Sequence, residues 1–309
     1  MNIKRLFNRG MKLLTDADYR FLVLSNRGKY DSMPDEEYLK RKFKAFIGQE
    51  LNLENPQTFN EKLQWLKLYN RRPEYTMMVD KYKVRDYIAE KLGEEYLIPL
   101  LDAWDDPDDI DFDALPNQFV LKCNHNSGLG MCICKDKSKL DIPKVKEELR
   151  KGLAQNYYLT SREWPYKDVP RKIICEKYMV DESGTELKDY KTYCFNGKAK
   201  MLMVVSDRFS GETVKASYFD RDRKQIPVEW GMEMAELTPP KPEVFEKMCS
   251  MAEILAKDIP HVRIDFYLIG NKIYFGEITF FDGSGFDEIK PVEWDYEFGK
   301  WITLPQKKD

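Results

Sequence analysis

The chain has 309 residues, 42% hydrophobic and 33% charged, with 50 basic and 53 acidic residues and a net charge of −3. This composition supports a sizeable folded core, and the balanced charge argues against a nucleic-acid-binding protein. Because no apolar run approaches the roughly 20 residues that a membrane-spanning helix needs, no transmembrane segment is predicted either.

The N-terminal segment MNIKRLFNRGMKLL is basic but lacks the apolar stretch of a secretory signal. Two interpretations stay open: a helix in peripheral contact with a membrane surface, or a frayed helix of the folded domain. Six cysteines without a Cys-x-x-Cys pair, together with only 2 histidines, offer few zinc ligands, so reduced cysteines are expected. These features favour a cytoplasmic protein, which the first interpretation would place at the inner face of the membrane.

Helices are predicted for most of the first hundred residues. In TFNEKLQWLKLY, Thr58 and Glu61 form a Ser/Thr-x-x-Glu capping box ahead of apolar residues at helical spacing. A further helix is predicted to begin at Asp80 and to end near Gly93. The acidic, proline-containing stretch at 105–116 is typical of a connector.

Strands dominate from residue 117 onward. QFVLKCN and MCICK flank a glycine loop, RKIICEKYM forms a third strand, and Asn196-Gly197 predicts a tight hairpin. Two amphipathic helices, PKVKEELRKGLAQNYY and KPEVFEKMCSMAEILAKDI, interrupt the strands. Hairpins separated by single long helices indicate an α+β fold with antiparallel sheets.

The last predicted hairpin, HVRIDFYLIGNKIYFGEIT at 261–279, places two carboxylates inside apolar strands. A turn within IGNK brings Asp265 opposite Glu277, with Cβ atoms roughly 5 Å apart. Like charges this close favour a cation between them, and oxygen-only ligation suits Mg²⁺; Thr279 offers a hydroxyl on the face of Glu277. Alternatively, Arg263 forms a structural salt bridge with Asp265 from the same strand face.

Three lysines are candidates for binding phosphate groups. Lys122 lies inside an apolar strand before the loop NHNSGLG, whose backbone N–H groups can cover phosphates. Lys81 opens a predicted helix, where its charge opposes the helix dipole unless it reaches an anion. Lys191 shares a strand face with Asp189. Each lysine also has an ordinary interpretation. Lys122 extends its ammonium to water at the strand edge, Lys81 is a surface lysine, and Lys191 forms an ion pair with Asp189.

In chain order these features resemble the ATP-grasp superfamily, and in detail the TupA-like ATP-grasp family of polysaccharide and teichuronopeptide biosynthesis proteins. The resemblance extends through residues 50–305 and is carried by LNLENPQTFNEKLQWLKLYNR, DKYKVRDYIAEKLGEEYLIPLL, LPNQFVLKCNHNSG, DYKTYCFNGK and YFGEITFFDGSGF. It implies an ATP-grasp fold, in which two α+β subdomains with antiparallel sheets hold ATP between them. The implied divisions are a short helical region at 1–75 and an ATP-grasp domain at 76–305, with a glycine-loop subdomain at about 117–195 and a metal-binding subdomain at about 196–305.

The resemblance also implies roles for single residues. Lys81 and Lys122 would bind the phosphates of ATP, and Asp265 and Glu277 would ligate Mg²⁺. Thr279 stands where many ATP-grasp enzymes have an Asn ligand. The other implied groups are a phosphate lid formed by Ser127, Gly128 and Gly130; a hinge against adenine at Glu176, Lys177 and Met179; a reaction-centre pair, Lys191 and Arg263; and a carboxylate cradle at Gly283, Ser284 and Gly285.

The implied activity is that of an ATP-dependent carboxylate–amine ligase acting through an acyl phosphate. Its expected partners are an amine donor and an acidic sugar or peptide, and loop arginines such as Arg208 are candidates for reading the acid. A kinase on the same scaffold needs the same ATP residues. A glycosyltransferase is a further alternative, since Asp109-Ile110-Asp111 and Asp220-Arg221-Asp222 match its metal motif by letters.

Overall fold

The computed structural model describes residues 12–184, 187–206 and 214–307. Most of the basic N-terminal segment and Arg208 therefore lie outside the described residues. Within the described ranges, no helix has the length and apolar character needed to cross a bilayer. The prediction of a membrane-surface helix stays a prediction.

Helices form the N-terminal part of the described chain, as the sequence predicts. The capping box is confirmed: Thr58 Oγ1 accepts from the Glu61 N–H at 3.1 Å, and Glu61 Oε2 accepts from the Thr58 N–H at 3.0 Å. Asp80 instead closes a turn by accepting from the Tyr82 N–H at 2.8 Å, so the helix predicted there begins later. The helices are α1 (Ala17–Ser25), α2 (Asp35–Ile47), α3 (Phe59–Tyr69), α4 (Glu74–Val79) and α5 (Val84–Lys91).

The first sheet has four antiparallel strands in the order β1-β4-β2-β3. Phe119, Leu121 and Cys123 alternate along β2 and are buried. The alternation leaves Val120 and Lys122 on the opposite face of the sheet. The elements are β1 (Leu100–Trp104), β2 (Phe119–Cys123), β3 (Met131–Cys134), α6 (Ile142–Ala154), α7 (Tyr157–Ser161) and β4 (Ile173–Lys177).

The second sheet has the strand order β10-β7-β6-β5-β11-β12, with β8 beside β7, and only the β10–β7 pair in it is parallel. Asn196 and Gly197 join β5 to β6 with φ of 48° and 77°, as a tight hairpin turn requires. Helix α8 packs against β5, β6 and β11. The elements are β5 (Asp189–Phe195), β6 (Lys198–Ser206), β7 (Lys215–Asp220), β8 (Gln225–Ile226), β9 (Glu229–Trp230), β10 (Glu233–Met234), α8 (Pro242–Leu255), β11 (His261–Ile269), β12 (Lys272–Thr279), β13 (Ile289–Lys290) and α9 (Glu293–Trp301).

The predicted α+β class with antiparallel sheets is confirmed by this topology. The first sheet ends at Lys177 and the second begins at Asp189. The predicted subdomain division near residue 195 therefore falls at the end of β5, whose partners β6 and β11 both belong to the second sheet. The domain limits themselves stay a prediction.

Two glycines allow the loop after β2 to pack directly on helix α6. A Cβ at Gly130 would lie 2.7 Å from Cys123 Sγ and 2.8 Å from Gly152 Cα. Gly128, two residues earlier, has a similar left-handed φ of +81° but nothing within 4 Å of its Cβ position. The same loop thus contains one crowded and one open glycine.

We expect Gly130→Ala to lower the free energy of unfolding by about 1–3 kcal/mol more than Gly128→Ala. Alanine is strained at both positions because both have left-handed φ. The difference in unfolding free energy between the two variants therefore measures only the close contact of Gly130 with Cys123 and Gly152. Urea unfolding of the two variants measures it. Equal midpoints would show that the loop does not need this contact.

Candidate active site

A row of charged side chains crosses three neighbouring strands of the second sheet. Lys191 on β5 lies opposite Asp265 on β11, and Asp265 lies opposite Glu277 on β12. All three share one face of the sheet because directly paired residues project to the same side. The predicted pairing of the two carboxylates is therefore confirmed.

Arg263 connects this row to its surroundings. Its Nε and Nη2 atoms donate to the Asp265 carboxylate at 2.7 and 2.8 Å, which is a bidentate pair. Nη2 also lies 3.4 Å from Glu277 Oε1 and 3.2 Å from Thr279 Oγ1, while Nη1 is paired with Asp282. The structural salt bridge that the sequence offers as an alternative to a metal ion is thus present, and the metal ligation stays a prediction.

Asp265 is the most enclosed member of the row. It is only 2% exposed, and Lys191 Nζ is paired with its Oδ2 atom in addition to Arg263. Two cations on one buried carboxylate compensate for the loss of water around it. Asp265 is therefore held in a fixed position with its charge neutralised.

Glu277 is more accessible and faces cations on several elements. Lys81 Nζ lies 3.4 Å from its Oε2 atom, and the same Nζ donates to the Asn126 carbonyl at 2.9 Å. Burial alone would raise the pKa of the Glu277 carboxyl, but the surrounding cations outweigh burial and hold that pKa below its usual range. Those cations are Lys81, Lys191, Arg263 and Lys122.

The first sheet contributes a second ion pair. Lys122 Nζ lies 2.7 Å from Glu176 Oε2, and Arg85 Nη1 lies 3.6 Å from the other oxygen of that carboxylate. Lys122 is paired across the strands with Ile174 and Glu176 with Val120, so both side chains project from the face that is not packed on α6. The mid-strand lysine singled out in the sequence thus has an anionic partner.

A cavity of about 600 Å³ lies between the two sheets. Its walls combine the charged groups with apolar side chains, among them Ile98, Val120 and Ile133. Nine residues predicted from the sequence line it: Lys81, Lys122, Ser127, Gly128, Glu176, Lys177, Met179, Asp265 and Glu277. A large cavity lined by both cationic and apolar side chains suits a nucleotide.

Other predicted site residues lie elsewhere. Gly130 packs on Gly152, which gives it a structural role that the sequence does not reveal. Lys191 and Arg263 line a separate cavity of about 80 Å³. Thr279 lies beside Glu277, with Oγ1 and Oε1 3.5 Å apart, as predicted.

The predicted carboxylate cradle is a short left-handed turn after β12. Gly283, Ser284 and Gly285 all have left-handed φ, of 54°, 54° and 63°. The Ser284 carbonyl accepts from Lys67 Nζ at 2.7 Å, and its hydroxyl donates to Glu163 Oε1 at 2.5 Å. Hydrogen bonds between the turn and the buried side chains of Lys67 and Glu163 therefore hold it in place.

Lys67 and Glu163 were not predicted from the sequence. On helix α3, Lys67 follows the buried Leu63 by four residues and so lies on the same face of the helix. This position is the one feature of the sequence that points to a buried lysine. Lys67 is fully buried and also donates to Gln64 Oε1 and to the Ser161 carbonyl, both at 3.0 Å. Burial lowers the pKa of the Lys67 ammonium to about 7, against the attraction of Glu163.

We expect this lysine to make stability rise with pH. Between about pH 7 and pH 10 the unfolded chain keeps a proton on Lys67 that the folded chain has released, so the folded state gains relative stability as pH increases. From pH 7 to 9 the wild type should gain about 2 kcal/mol more than Lys67→Met, measured by urea unfolding. The same pH dependence in both proteins would contradict the shifted titration.

The residues at the carboxylate row fit a magnesium ion that arrives with a nucleotide. Asp265 and Glu277 supply hard oxygen donors on the wall of the cavity that Lys81 and Lys122 also line. Mg²⁺ commonly takes one or two carboxylates and completes its shell with phosphates and water. The described ranges contain no group of three or more His, Cys, Asp or Glu side chains arranged to hold a metal.

The two Asp-x-Asp pairs have a different setting. Asp109, Asp111 and Asp222 are exposed, and Asp220 is half-buried at the end of β7. These side chains do not line the large cavity. The six cysteines are free.

Comparison with known families agrees with this geometry. A family model described as TupA-like ATPgrasp matches residues 61–303. The fold is thus that of an ATP-grasp enzyme, and the prediction of that class is confirmed. The chain belongs to the TupA-like ATP-grasp family.

Solved structures similar to this chain include D-alanine–D-alanine ligases. The Bacillus anthracis enzyme complexed with ATP is 17% identical, with 66% of this chain and 54% of that chain covered and a TM-score of 0.39. The Helicobacter pylori enzyme is 15% identical, with 80% and 69% covered and a TM-score of 0.48. D-alanyl-alanine synthetase A from Vibrio cholerae is 12% identical, with 72% and 57% covered and a TM-score of 0.40.

The match spans little more than half of the Bacillus anthracis ligase. At such low identities and TM-scores these likenesses say nothing about the substrate of this chain. No curated protein sequence matches it.

Proposed function

We propose that the protein is an ATP-dependent carboxylate–amine ligase that works through an acyl phosphate. The observation that supports this most directly is the position of Arg263. Its guanidinium pairs with Asp265, which lines the large cavity, and it lines the small neighbouring cavity itself. A fixed cation between two cavities suits transfer of a phosphoryl group from a nucleotide to an acceptor.

The large cavity would hold ATP. Lys81 and Lys122 would contact the phosphates, Ser127 and Gly128 would cover them, and the segment 176–179 would lie against adenine. Asp265 and Glu277 would ligate Mg²⁺, with Thr279 as a neighbouring oxygen. When bound, the metal would neutralise charge on the terminal phosphates.

The chemistry then needs little covalent help from the protein. An oxygen of the substrate carboxylate attacks the γ-phosphorus, the bond from that phosphorus to the β–γ bridging oxygen breaks, and ADP leaves. The amine nitrogen next attacks the carbonyl carbon, the C–N bond forms, and phosphate leaves with the electrons of the C–O bond. Arg263 and Lys191 would stabilise the negative charge in both steps.

The proposed acid substrate is a uronic acid or peptide carboxyl of a cell-surface polysaccharide pathway, in the cytoplasm at the inner face of the membrane. Its carboxylate would lie near Gly283, Ser284 and Gly285. Arg208 stays a candidate contact outside the described residues. Two other loop arginines are already engaged, since Arg221 pairs with Glu246 at 2.7 Å and Arg223 donates to the Pro240 carbonyl at 2.9 Å.

We expect ADP and phosphate to be released together only when ATP, Mg²⁺, an acid and an amine are all supplied. Uronic acids and acidic peptides, each paired with amino acids or amino sugars, form the substrate panel, and mass spectrometry identifies the amide. Lys122→Ala and Asp265→Asn should each lower kcat/KM by about 100-fold or more, because each removes charge stabilisation at the phosphates or the metal.

Lys139→Ala is the control, since this side chain is 82% exposed and does not line the cavity. Turnover undiminished in both site variants would refute the proposal. A stable phosphate ester as product would identify a kinase instead. Binding of a UDP-sugar without ATP would identify a glycosyltransferase.

A further inference from the structure

The small cavity next to Arg263 has features of its own. It has a volume of about 80 Å³, and Lys191 and Arg263 form part of its wall. Both cations also contact Asp265, which lines the large cavity. The two cavities are therefore connected through the ion pairs that these two cations form with Asp265.

The carboxylate of Asp287 fits between two glycines at this cavity. A Cβ at Gly231 would lie 2.8 Å from Asp287 Oδ2, and a Cβ at Gly283 would lie 2.6 Å from Asp287 Cγ. Both glycines have left-handed φ, of 66° and 54°. Any other residue at either position would displace the carboxylate, so the backbone leaves room for it.

Asp287 has no counter-ion among the described residues. Within these ranges its side chain makes no hydrogen bond or ion pair, whereas Asp282 is paired with Arg263 and accepts from the Tyr193 hydroxyl at 2.6 Å. Burial, and then the negative charge of Asp282, raise the pKa of Asp287 to about 6. At neutral pH this partly buried carboxylate is therefore mostly ionised and lacks a cation.

Aromatic side chains also line this cavity. The rings of Trp230 and Tyr218 are stacked with centroids 5.8 Å apart and an interplanar angle of 14°, and both residues are 2% exposed. An ammonium group is attracted to such ring faces as well as to a carboxylate. Because a water molecule takes about 30 Å³ in the liquid, a cavity of about 80 Å³ admits only the small end of a larger molecule.

We propose that this small cavity binds the amine substrate, with a primary ammonium held between the Asp287 carboxylate and the Trp230–Tyr218 ring pair. The identification of this ammonium as a substrate rests on the proposed ligase function. An ammonium supplies the missing positive charge beside Asp287. A neutral hydroxyl of a sugar does not supply it.

The site also accounts for the protons of the second step. The ammonium must lose one proton to expose its lone pair, and Asp287 is the acceptor beside it. After the C–N bond forms and phosphate departs, the nitrogen loses a second proton to solvent to give the neutral amide. Asp287 then returns its proton to water, so the enzyme is unchanged.

Direct binding of a probe tests the site without any turnover. Ethylammonium chloride and ethanol, which differ in charge at one small group, are titrated by ligand-observed NMR against wild type, Asp287→Asn and the adjacent exposed variant Glu288→Gln. We expect ethylammonium to bind wild type and Glu288→Gln equally and Asp287→Asn at least 10-fold more weakly. Equal binding to Asp287→Asn, or no preference for ethylammonium over ethanol, would overturn the proposal.

Measurements of turnover distinguish a failure of the proposed amine site from a failure of the proposed ligase function. Saturating hydroxylamine traps an acyl phosphate as a hydroxamate without requiring the amine site. Glu288→Gln should form hydroxamate within about 2-fold of wild type and keep the wild-type KM for the amine, whereas Asp287→Asn should show at least a 10-fold higher KM for the amine. Absence of hydroxamate in wild type would refute the ligase function alone, whereas hydroxamate in wild type with an unchanged amine KM in Asp287→Asn would refute the amine site alone.

Discussion

The bidentate pair between Arg263 and Asp265 is the interaction on which the site depends. Both side chains are largely buried, at 8% and 2% exposure, and burial of a charge is costly unless a partner compensates for it. Their strand pairing fixes the partners, because β11 lies between β5 and β12 and thereby places Lys191 on one side and Glu277 on the other. A rigid sheet thus provides a charged row in which each group limits the movement of the next.

Cations on and beside the first sheet complete this row from across the large cavity. Lys81, in the turn before α5, reaches Glu277, and Lys122 projects from β2 into the same space. The cavity thus has lysines that can face phosphates and carboxylates that can face a metal ion. Both sets are needed to balance the charges of a metal-bound polyphosphate. The close packing of Gly130 on Gly152 holds the loop after β2, in which Ser127 and Gly128 line the cavity.

Local sequence signals identified much of this arrangement. The pairing of Asp265 with Glu277 follows from the turn of one hairpin, and the capping box at Thr58 follows from a four-residue pattern, so both could be predicted. The support of Ser284 by Lys67 and the placement of Asp287 between Gly231 and Gly283 depend on contacts between segments far apart in the chain. A single sequence does not record such contacts, which is why these groups were missed.

If the facing carboxylates of β11 and β12 hold the metal of a bound nucleotide, Mg²⁺ and nucleotide must bind together. Calorimetric titration with a non-hydrolysable ATP analogue, in the presence of Mg²⁺ and in the presence of EDTA, measures this coupling. We expect Mg²⁺ to tighten binding to wild type at least 10-fold and this gain to be lost in Glu277→Gln, whereas metal-free binding changes little. The same affinity with and without Mg²⁺, or an undiminished gain in Glu277→Gln, would show that these carboxylates do not hold the metal.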